Sequence, residues 1–238
     1  MPNRAHICDV TFSKSGRTLF GRLSLDLPEK RIGIIGRNGS GKSLLARLLC
    51  GLITPDSGQI TVHEIDVARD RKQAINTVGI LFQNPDQQII FPTVSEEIVF
   101  GLTQQGHDKT AAQAAAKAML TQFGASDWVD RSIQTLSQGQ RHLVCMMSVL
   151  AMAPKMIVLD EPFAGLDILT VSRLNHILDG VSQQVIHISH DLPSLLGYDR
   201  VIWLEQGAVA MDGDPGTVIK AYETEMARLG AEDAVADL

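Results

Sequence analysis

Long apolar runs are missing from this 238-residue chain. No window approaches the roughly eighteen uninterrupted apolar residues that a membrane-spanning helix needs. The first residues lead into a short apolar stretch that Asp9 and Ser13 interrupt, unlike the apolar core of a signal peptide. We therefore expect the chain to stay in the cytosol and to reach a membrane only through a partner.

Cysteine and positive charge are also scarce. Cys8, Cys50 and Cys145 are odd in number, far apart and without metal-ligand spacing, which favours reduced, packed thiols over a disulfide or a zinc site. The formal net charge of -6 argues against broad electrostatic capture of nucleic acid. A hydrophobic content of 45% suits one sizeable core, but the chain is short for two catalytic domains.

Four short apolar runs are present, and they predict strands at residues 32–35, 78–82, 156–159 and 185–188. Continuous runs are typical of strands buried on both faces, as in a parallel sheet covered by helices. Helical spacing predicts a helix at 43–50, and an alanine-rich stretch predicts another at 111–120. The chain is therefore expected to have an α/β fold.

Residues 84–152 differ from the rest because helical and turn signals dominate there. We interpret this segment as a helical insertion in a core formed by 1–83 and 153–215. Residues 205–207 are typical of a hairpin turn, and 212–216 of a loop before a final helix.

A glycine-rich loop connects the first predicted strand to the helix at 43–50. It has the pattern of a glycine, four residues and Gly-Lys-Ser, formed by Gly36, Arg37, Asn38, Gly39, Ser40, Gly41, Lys42 and Ser43. Its glycines let backbone N–H groups converge on phosphate oxygens. We expect Lys42 to reach the β- and γ-phosphates of ATP and Ser43 to bind magnesium. The flanking strand and helix disfavour the alternative, a glycine-rich turn that binds no nucleotide.

A second nucleotide motif ends the strand predicted at 156–159. Asp160 and Glu161 follow its last apolar residue, at the edge where parallel α/β sheets bind ligands. We expect Asp160 to hold magnesium and Glu161 to act as general base on the attacking water. Such a pair alone would more often be a solvated acidic turn, so the assignment depends on the phosphate loop.

A third pattern makes the chain resemble a known family. The signature sequence of ABC ATPases is similar to the run Leu136, Ser137, Gln138, Gly139 and Gln140, which precedes the Asp-Glu strand as in that family. Gln83 and His190 each follow a predicted strand, like the family's Q-loop glutamine and switch histidine, and 164–167 resembles its D-loop. The resemblance covers about residues 5–220.

This resemblance implies a fold and a dimer. The fold is a P-loop NTPase of RecA-like core, with an antiparallel β part and a helical subdomain, 84–152, that carries the signature. A single ATPase domain would span 1–220. The tail lies outside the resemblance: we expect 221–238 to form a C-terminal helix with an acidic tail, frayed from 231 because its residues are small and acidic. Members of the family place the signature against the ATP of the opposite subunit, so we expect a second ATPase subunit, as a homodimer.

The resemblance also implies roles for single residues. Leu44 would join the phosphate loop in binding ATP, and the partner's nucleotide would contact Ser137, Gly139 and Gln140. Hydrolysis would involve Glu161, Lys42, His190 at the γ-phosphate, and Gln83, which senses magnesium and water; Asp167 would connect the two sites. Taken alone, His190 would as readily be a turn or core residue and Gln83 a surface residue.

Three positions need separate comment. Gln138 stands where glycine is commonest in the family, a variation that the family tolerates. Phe12 is the nearest candidate for the aromatic residue that stacks on adenine, with Lys14 the alternative occupant of the family's tyrosine position. His187 is expected to pack or hydrogen-bond, because it and His190 lack a third metal ligand at suitable spacing.

Residues 82–101 resemble the corresponding stretch of energy-coupling-factor importers of vitamins and metals. There a groove takes a coupling helix, which implies a peripheral position on the cytoplasmic face of the membrane. The partners would be a transmembrane coupling protein and a substrate-binding membrane protein, and the chain itself would touch neither the transported compound nor nucleic acid. The predicted apolar docking surface is Ile89, Ile90, Phe91, Val94 and Val99, flanked by Glu96 and Glu97. For each residue the alternative is packing inside the helical segment.

The transported compound is inferred from similarity alone. Residues 29–39 and 89–92 are most like those of biotin importers, and cobalt or nickel importers are the close alternative. A soluble ABC protein acting on ribosomes or DNA would usually have two ATPase modules or a long coiled coil, but this chain has one motif set and no sustained heptads. A small-molecule P-loop kinase would need neither the signature nor His190.

Overall fold

A computed structural model describes residues 5–236 of the chain. The strands are β1 (Ala5–Lys14), β2 (Arg17–Leu27), β3 (Arg31–Ile35), β4 (Ser57–Val62), β5 (Ile65–Asp66), β6 (Val78–Leu81), β7 (Met156–Asp160), β8 (Gln184–Ile188), β9 (Arg200–Glu205) and β10 (Ala208–Gly213). The helices are α1 (Lys42–Leu49), α2 (Arg71–Thr77), α3 (Val94–Gln104), α4 (Lys109–Gln122), α5 (Gln138–Ala151), α6 (Ile168–Gly180) and α7 (Pro215–Ala236).

The larger sheet has the strand order β10-β9-β3-β8-β7-β6. Only the β10-β9 pair is antiparallel; the other four pairs are parallel. Strands β7 and β8 are buried along their full length, which explains why their sequences are continuous apolar runs. The four predicted strands are confirmed as β3, β6, β7 and β8, and the predicted hairpin is confirmed as the turn between β9 and β10.

The smaller sheet is antiparallel, with the order β2-β1-β4-β5. Leu23, Leu25 and Leu27 alternate with exposed residues along β2, as expected for a strand with one buried face. Helix α1 contacts both β4 and β7, and its fully buried Leu45 and Leu48 belong to a core shared by the two sheets. The predicted α/β fold with an antiparallel β part is therefore confirmed.

The segment predicted to be helical contains α3, α4 and α5. Its apolar side chains share a second core with Leu81, Ile157, Leu159 and Val185 of the larger sheet. Helix α5 is the most deeply packed, since it contacts α3, α4 and β6, and all of its residues from 142 to 149 are buried. The predicted helix at 111–120 lies within α4. Within residues 5–236, no helix has both the length and the apolar character needed to cross a membrane.

The C-terminal helix is longer than predicted. Strand β10 continues to Gly213 and α7 starts at Pro215, so the predicted loop at 212–216 shrinks to Asp214. The Asp214 carboxylate accepts a hydrogen bond from the backbone N–H of Thr217 (3.0 Å) and caps the helix. Fraying was predicted from residue 231, but the helix continues to Ala236, because alanine favours helix. Residues 237–238 lie outside the described range.

Two residues of the predicted docking surface point inward instead. Val94 is fully buried in the second core. Glu97 is only 6% exposed, and its carboxylate accepts hydrogen bonds from the backbone N–H groups of Ile90 and Phe91, both at 2.9 Å. The prediction for Glu97 was wrong because a carboxylate on a surface helix is usually solvated. This carboxylate instead accepts hydrogen bonds from backbone N–H groups of the preceding loop.

His187 is a packing residue, as predicted. Its Nδ1 lies 2.9 Å from the Tyr198 hydroxyl oxygen, and its ring meets the ring of Phe163 edge-on at 5.6 Å. Because the imidazole is almost completely buried in β8, burial lowers the pKa of His187 to about 4.

We predict that His187 makes stability depend on pH. Between the ordinary histidine pKa of 6.5 and the folded value of about 4, the unfolded chain binds a proton that the folded chain excludes. The free energy of unfolding should therefore fall as the pH is lowered through this window. Denaturant unfolding at several pH values should give a flatter profile for His187→Phe, which keeps a ring, and an unaltered profile for a change at the exposed His176. An unaltered slope in His187→Phe would contradict this role.

Candidate nucleotide and hydrolysis site

The phosphate loop joins the end of β3 to the start of α1. Gly36 has φ +150°, and a Cβ atom there would lie 2.1 Å from the Leu204 carbonyl oxygen, so only glycine fits. Helix α1 begins after Gly41, which provides no side-chain cap for the first-turn N–H groups. These N–H groups are therefore free for an anion such as phosphate.

Lys42 lies inside the curve of this loop. Its ammonium donates hydrogen bonds to the carbonyl oxygens of Gly36 (2.7 Å) and Arg37 (3.0 Å). Burial lowers the pKa of Lys42, whereas the nearby carboxylates of Glu161, Asp160 and Glu205 oppose that shift. A cation held by neutral carbonyls beside carboxylates is well suited to exchange those contacts for phosphate oxygens.

Ser43 and Asp160 meet at the next position along the site. The Ser43 hydroxyl donates a hydrogen bond to the Asp160 carboxylate (2.9 Å), and Asp160 is 8% exposed at the end of β7. Burial raises the pKa of Asp160, while the Ser43 hydrogen bond lowers it. Hydroxyl and carboxylate oxygens fit Mg²⁺. Among the described residues, no group of three or more His, Cys, Asp or Glu side chains could hold a metal ion.

Glu161 and His190 contact each other at the ends of β7 and β8. Glu161 adopts φ +51°, in the left-handed region that non-glycine residues rarely occupy, and its N–H donates to the Ile188 carbonyl at 3.0 Å. Its Oε1 lies 2.9 Å from Nε2 of His190. Because Asp160 and Ile188 are register partners in adjacent parallel strands, the residues that follow them leave the sheet side by side.

The signature residues begin α5. Ser137 and Gln140 form a capping box, in which the Ser137 hydroxyl accepts from the Gln140 N–H (3.2 Å) and the Gln140 amide oxygen accepts from the Ser137 N–H (3.0 Å). The amide oxygen of Gln140 is thus engaged within its own helix, and its expected contact with a nucleotide stays a prediction.

The D-loop packs against the signature within the same chain. Asp167 caps α6, because its carboxylate accepts from both the backbone N–H (3.0 Å) and the hydroxyl (2.7 Å) of Thr170, and these bonds lower the pKa of Asp167. A Cβ atom at Gly139 would lie 2.8 Å from the Thr170 methyl carbon, so glycine permits this contact. The two motifs therefore form one packed unit.

The cavity at the signature is formed without phosphate-loop residues. Ser137 and Gly139 line a cavity of about 270 Å³ with Trp128, Thr170 and Arg173, and no residue of 36–44 lines it. Leu44 turns its side chain toward the first core, which leaves only its backbone for nucleotide binding. Phe12 is half-buried against the same core, so its role in adenine stacking stays a prediction.

Several functional contacts were missed by the sequence reasoning. The β9-β10 turn reaches the phosphate loop, since the Gly207 N–H donates to the Ser40 carbonyl (3.0 Å). Gly207 has φ +79°, and a Cβ atom there would lie 1.7 Å from the Leu19 carbonyl oxygen. The hairpin was predicted, but no local sequence signal indicates which distant segment its turn contacts. His142, buried in α5, was also missed because its apolar neighbours conceal it.

Comparisons with known proteins agree with this geometry. A family model described as ABC transporter matches residues 20–164. The chain therefore belongs to the ABC transporter family and is an ATP-binding, ATP-hydrolysing subunit of a transporter. It is 50% identical over 225 residues to the biotin transport ATP-binding protein BioM of Rhodobacter capsulatus, covering 93% of this chain and 96% of that protein. The BioM protein of Rhizobium etli is 36% identical, with coverage of 90% and 97%.

The fold is also similar to that of solved structures. The cbiO1 protein of Clostridium perfringens, described as part of the ABC transporter complex cbiONQ, superposes with a TM-score of 0.79 at 26% identity over 99% of both chains. A dimeric ATP-binding cassette bound to ADP and phosphate has a TM-score of 0.77 at 22% identity, over 89% of this chain and 98% of that one.

We predict that the Gly139–Thr170 contact limits substitution in the signature. Gly139→Ala should lower the free energy of unfolding by about 1–3 kcal/mol, because the β-branched Thr170 cannot move away easily. Adding Thr170→Ser, which removes the obstructing methyl group, should recover most of the loss in denaturant unfolding. Gly180→Ala, at a helical position with open space, is the matched control and should cost nothing. Equal losses in the single and double variants would refute the contact.

Proposed function

We propose that this chain is the ATPase of an energy-coupling-factor importer, that two copies work together at the cytoplasmic face of the membrane, and that the transported compound is biotin. The proposal of biotin as the transported compound rests on the 50% identity to the Rhodobacter capsulatus protein along 96% of its length. The chain would not touch biotin itself, since the transporter's membrane proteins bind the compound.

Hydrolysis is assigned to the Glu161–His190 pair. The oxygen of water forms a bond to the γ-phosphorus while the bond from that phosphorus to the β–γ bridging oxygen breaks, which releases ADP and phosphate. Glu161 takes the proton of the attacking water, and His190, at 2.9 Å, holds the carboxylate in place and faces the γ-phosphate. Lys42 balances the charge on the phosphates.

Magnesium would be held by Ser43 and Asp160, and Gln83 follows β6, the strand that pairs with β7, by two residues. When bound, the ion neutralises charge on the β- and γ-phosphate oxygens. The Ser43–Asp160 hydrogen bond supports this, because it holds a hydroxyl oxygen and a carboxylate oxygen close enough together to bind the same ion.

Pairing of two copies follows from the separation of the motifs. Since the cavity at Ser137 and Gly139 contains no phosphate-loop residue, each signature is available to the nucleotide of another copy. Next to Asp167, Ile168 and Leu169 are 86% and 83% exposed, and burying adjacent large apolar side chains favours association. One chain would thus contribute to two ATP sites.

The docking surface is smaller than the sequence suggested. A cavity of about 350 Å³ is lined by residues that include Ile89, Ile90, Phe91 and Ile133. Ile90 is 69% exposed, which is unusual for so large an apolar side chain. An apolar groove of this kind suits the apolar face of a helix from a transmembrane partner.

We predict that Glu161→Gln lowers kcat for ATP hydrolysis by a hundredfold or more, because the amide cannot take the proton of the attacking water. Nucleotide binding, measured separately by equilibrium titration, should persist, since the phosphate loop is unaltered. The matched change at the exposed Glu223 on α7 should leave kcat at the level of the unmodified protein. A Glu161 variant with undiminished turnover would show that another group is the base.

We predict that Ile90→Asp prevents assembly with the membrane partners, since a charge in the groove loses apolar contact and adds desolvation cost. The tagged chain should co-purify from its native membranes with a transmembrane coupling protein and a biotin-binding protein, and the Ile90 variant should lose both. Ile75→Asp, at a similarly apolar but separate exposed position on α2, should retain them. Recovery of ribosomal or DNA-bound partners and no membrane protein would overturn the importer assignment.

A further inference from the structure

His142 connects two motifs from a buried position in α5. Its side chain is 1% exposed. Nε2 lies 3.1 Å from the carbonyl oxygen of Gln83, and Nδ1 lies 3.1 Å from the carbonyl oxygen of Gln138. The first carbonyl belongs to the residue expected at magnesium and the attacking water, and the second to the signature sequence.

We propose that His142 is a positioning residue for hydrolysis, which holds Gln83 in place through its backbone and links it to the signature helix. This inference depends on the proposed role of Gln83 in the site. His142 itself touches neither nucleotide nor water in this role, and acts only through the residues that do.

The bond to Gln83 is the important one of the two. In an α-helix the carbonyl of residue 138 already accepts the backbone N–H of residue 142, so the ring contact to it is supplementary. The Gln83 carbonyl lies beyond β6, just before the turn in which Asn84 and Pro85 carbonyls accept from the N–H groups of Gln87 and Gln88. A neutral imidazole has only one N–H. It therefore satisfies an otherwise unused backbone acceptor when Nε2 carries the proton and donates to the Gln83 carbonyl.

The surroundings make this bond consequential for the site. The Gln83 side chain is exposed and lines a polar cavity of about 580 Å³ together with Gln138 and Ala164, so the Q-loop, signature and D-loop all meet there. A surface pair, Arg141 with Asp86 at 3.3 Å, spans the same boundary, but Asp86 is 61% exposed. Exposed ion pairs contribute little, and a hydrogen bond whose imidazole partner is buried contributes more.

This link also joins the two nucleotide sites of a pair. Gln83 would serve the ATP bound by its own chain, while Ser137, at the start of α5, would serve the ATP of the partner copy. His142 lies between them, on the first turns of α5. A shift of Gln83 is thereby transmitted to the helix that presents Ser137, through contiguous hydrogen-bonded contacts.

The test is steady-state hydrolysis by the purified full chain. His142→Leu, which fills the space without a donor, should lower kcat on the order of tenfold, with the ATP dissociation constant altered less than about twofold, because a buried hydrogen bond is lost away from the phosphates. His142→Gln places an amide N–H near the Nε2 position and should recover most of the loss. His142→Asn reaches only toward the Nδ1 position and should not. His176→Leu, on the exposed side of α6, is the control.

A double-mutant cycle separates positioning from general damage. In a Gln83→Ala background, His142→Leu should cause no further loss beyond about twofold, since its effect acts through the missing side chain. If the two losses multiply, or if the Leu and Gln variants are equally impaired, the proposal is overturned. Should His142→Leu fail to fold, the contrast between His142→Gln and His142→Asn decides alone. An unmodified chain without ATPase activity refutes the proposed function, whereas an active chain that is indifferent to His142 refutes only this inference.

Discussion

The parallel pairing of β7 with β8 holds the reactive groups of this ATPase together. Asp160 lies opposite Ile188 in the register, and the next residue on one strand donates its N–H to the carbonyl on the other. As a result Glu161 leaves the sheet in a left-handed conformation and reaches His190. The same edge receives Ser43 from α1, so one pairing of two short strands fixes both the proposed metal ligands and the proposed general base.

Close backbone approach is the second constraint on the site. The phosphate loop is packed from behind by the end of β9 and by the β9-β10 turn, at Gly36 and Gly207, where no side chain has room. This packing holds the loop in its curve around Lys42. It also explains why a lysine is tolerated in a largely buried place: loop carbonyls satisfy its donors, and carboxylates on neighbouring strands oppose its loss of charge.

Much of this arrangement could be predicted from the sequence because it depends on local patterns. Continuous apolar runs locate β3, β6, β7 and β8, and polar residues just after parallel strands must gather at one edge. The antiparallel sheet was expected only from resemblance to the family, although the alternation of Leu23, Leu25 and Leu27 along β2 is a local signal for one of its strands. The subdomain limits and residue roles remain predictions.

The parts that the sequence did not reveal are contacts between distant segments. Nothing local indicates that the β9-β10 turn contacts Ser40 or that His142 reaches Gln83. Glu97 shows the same limit, because its neighbours in sequence are compatible with either face of α3. Such side chains form hydrogen bonds with backbone groups of distant segments. Hydrophobic periodicity does not indicate which backbone groups need a partner.

The buried carboxylate of Glu97 has a consequence for how a partner is recognised. By accepting the N–H groups of Ile90 and Phe91 from inside, it fixes the backbone of the groove before any helix arrives. Binding of the proposed partner would then cost little conformational entropy in this surface. More of the free energy of even a small apolar contact would therefore contribute to affinity. Because Glu97 belongs to α3, the same two hydrogen bonds tie the backbone of the groove to that helix.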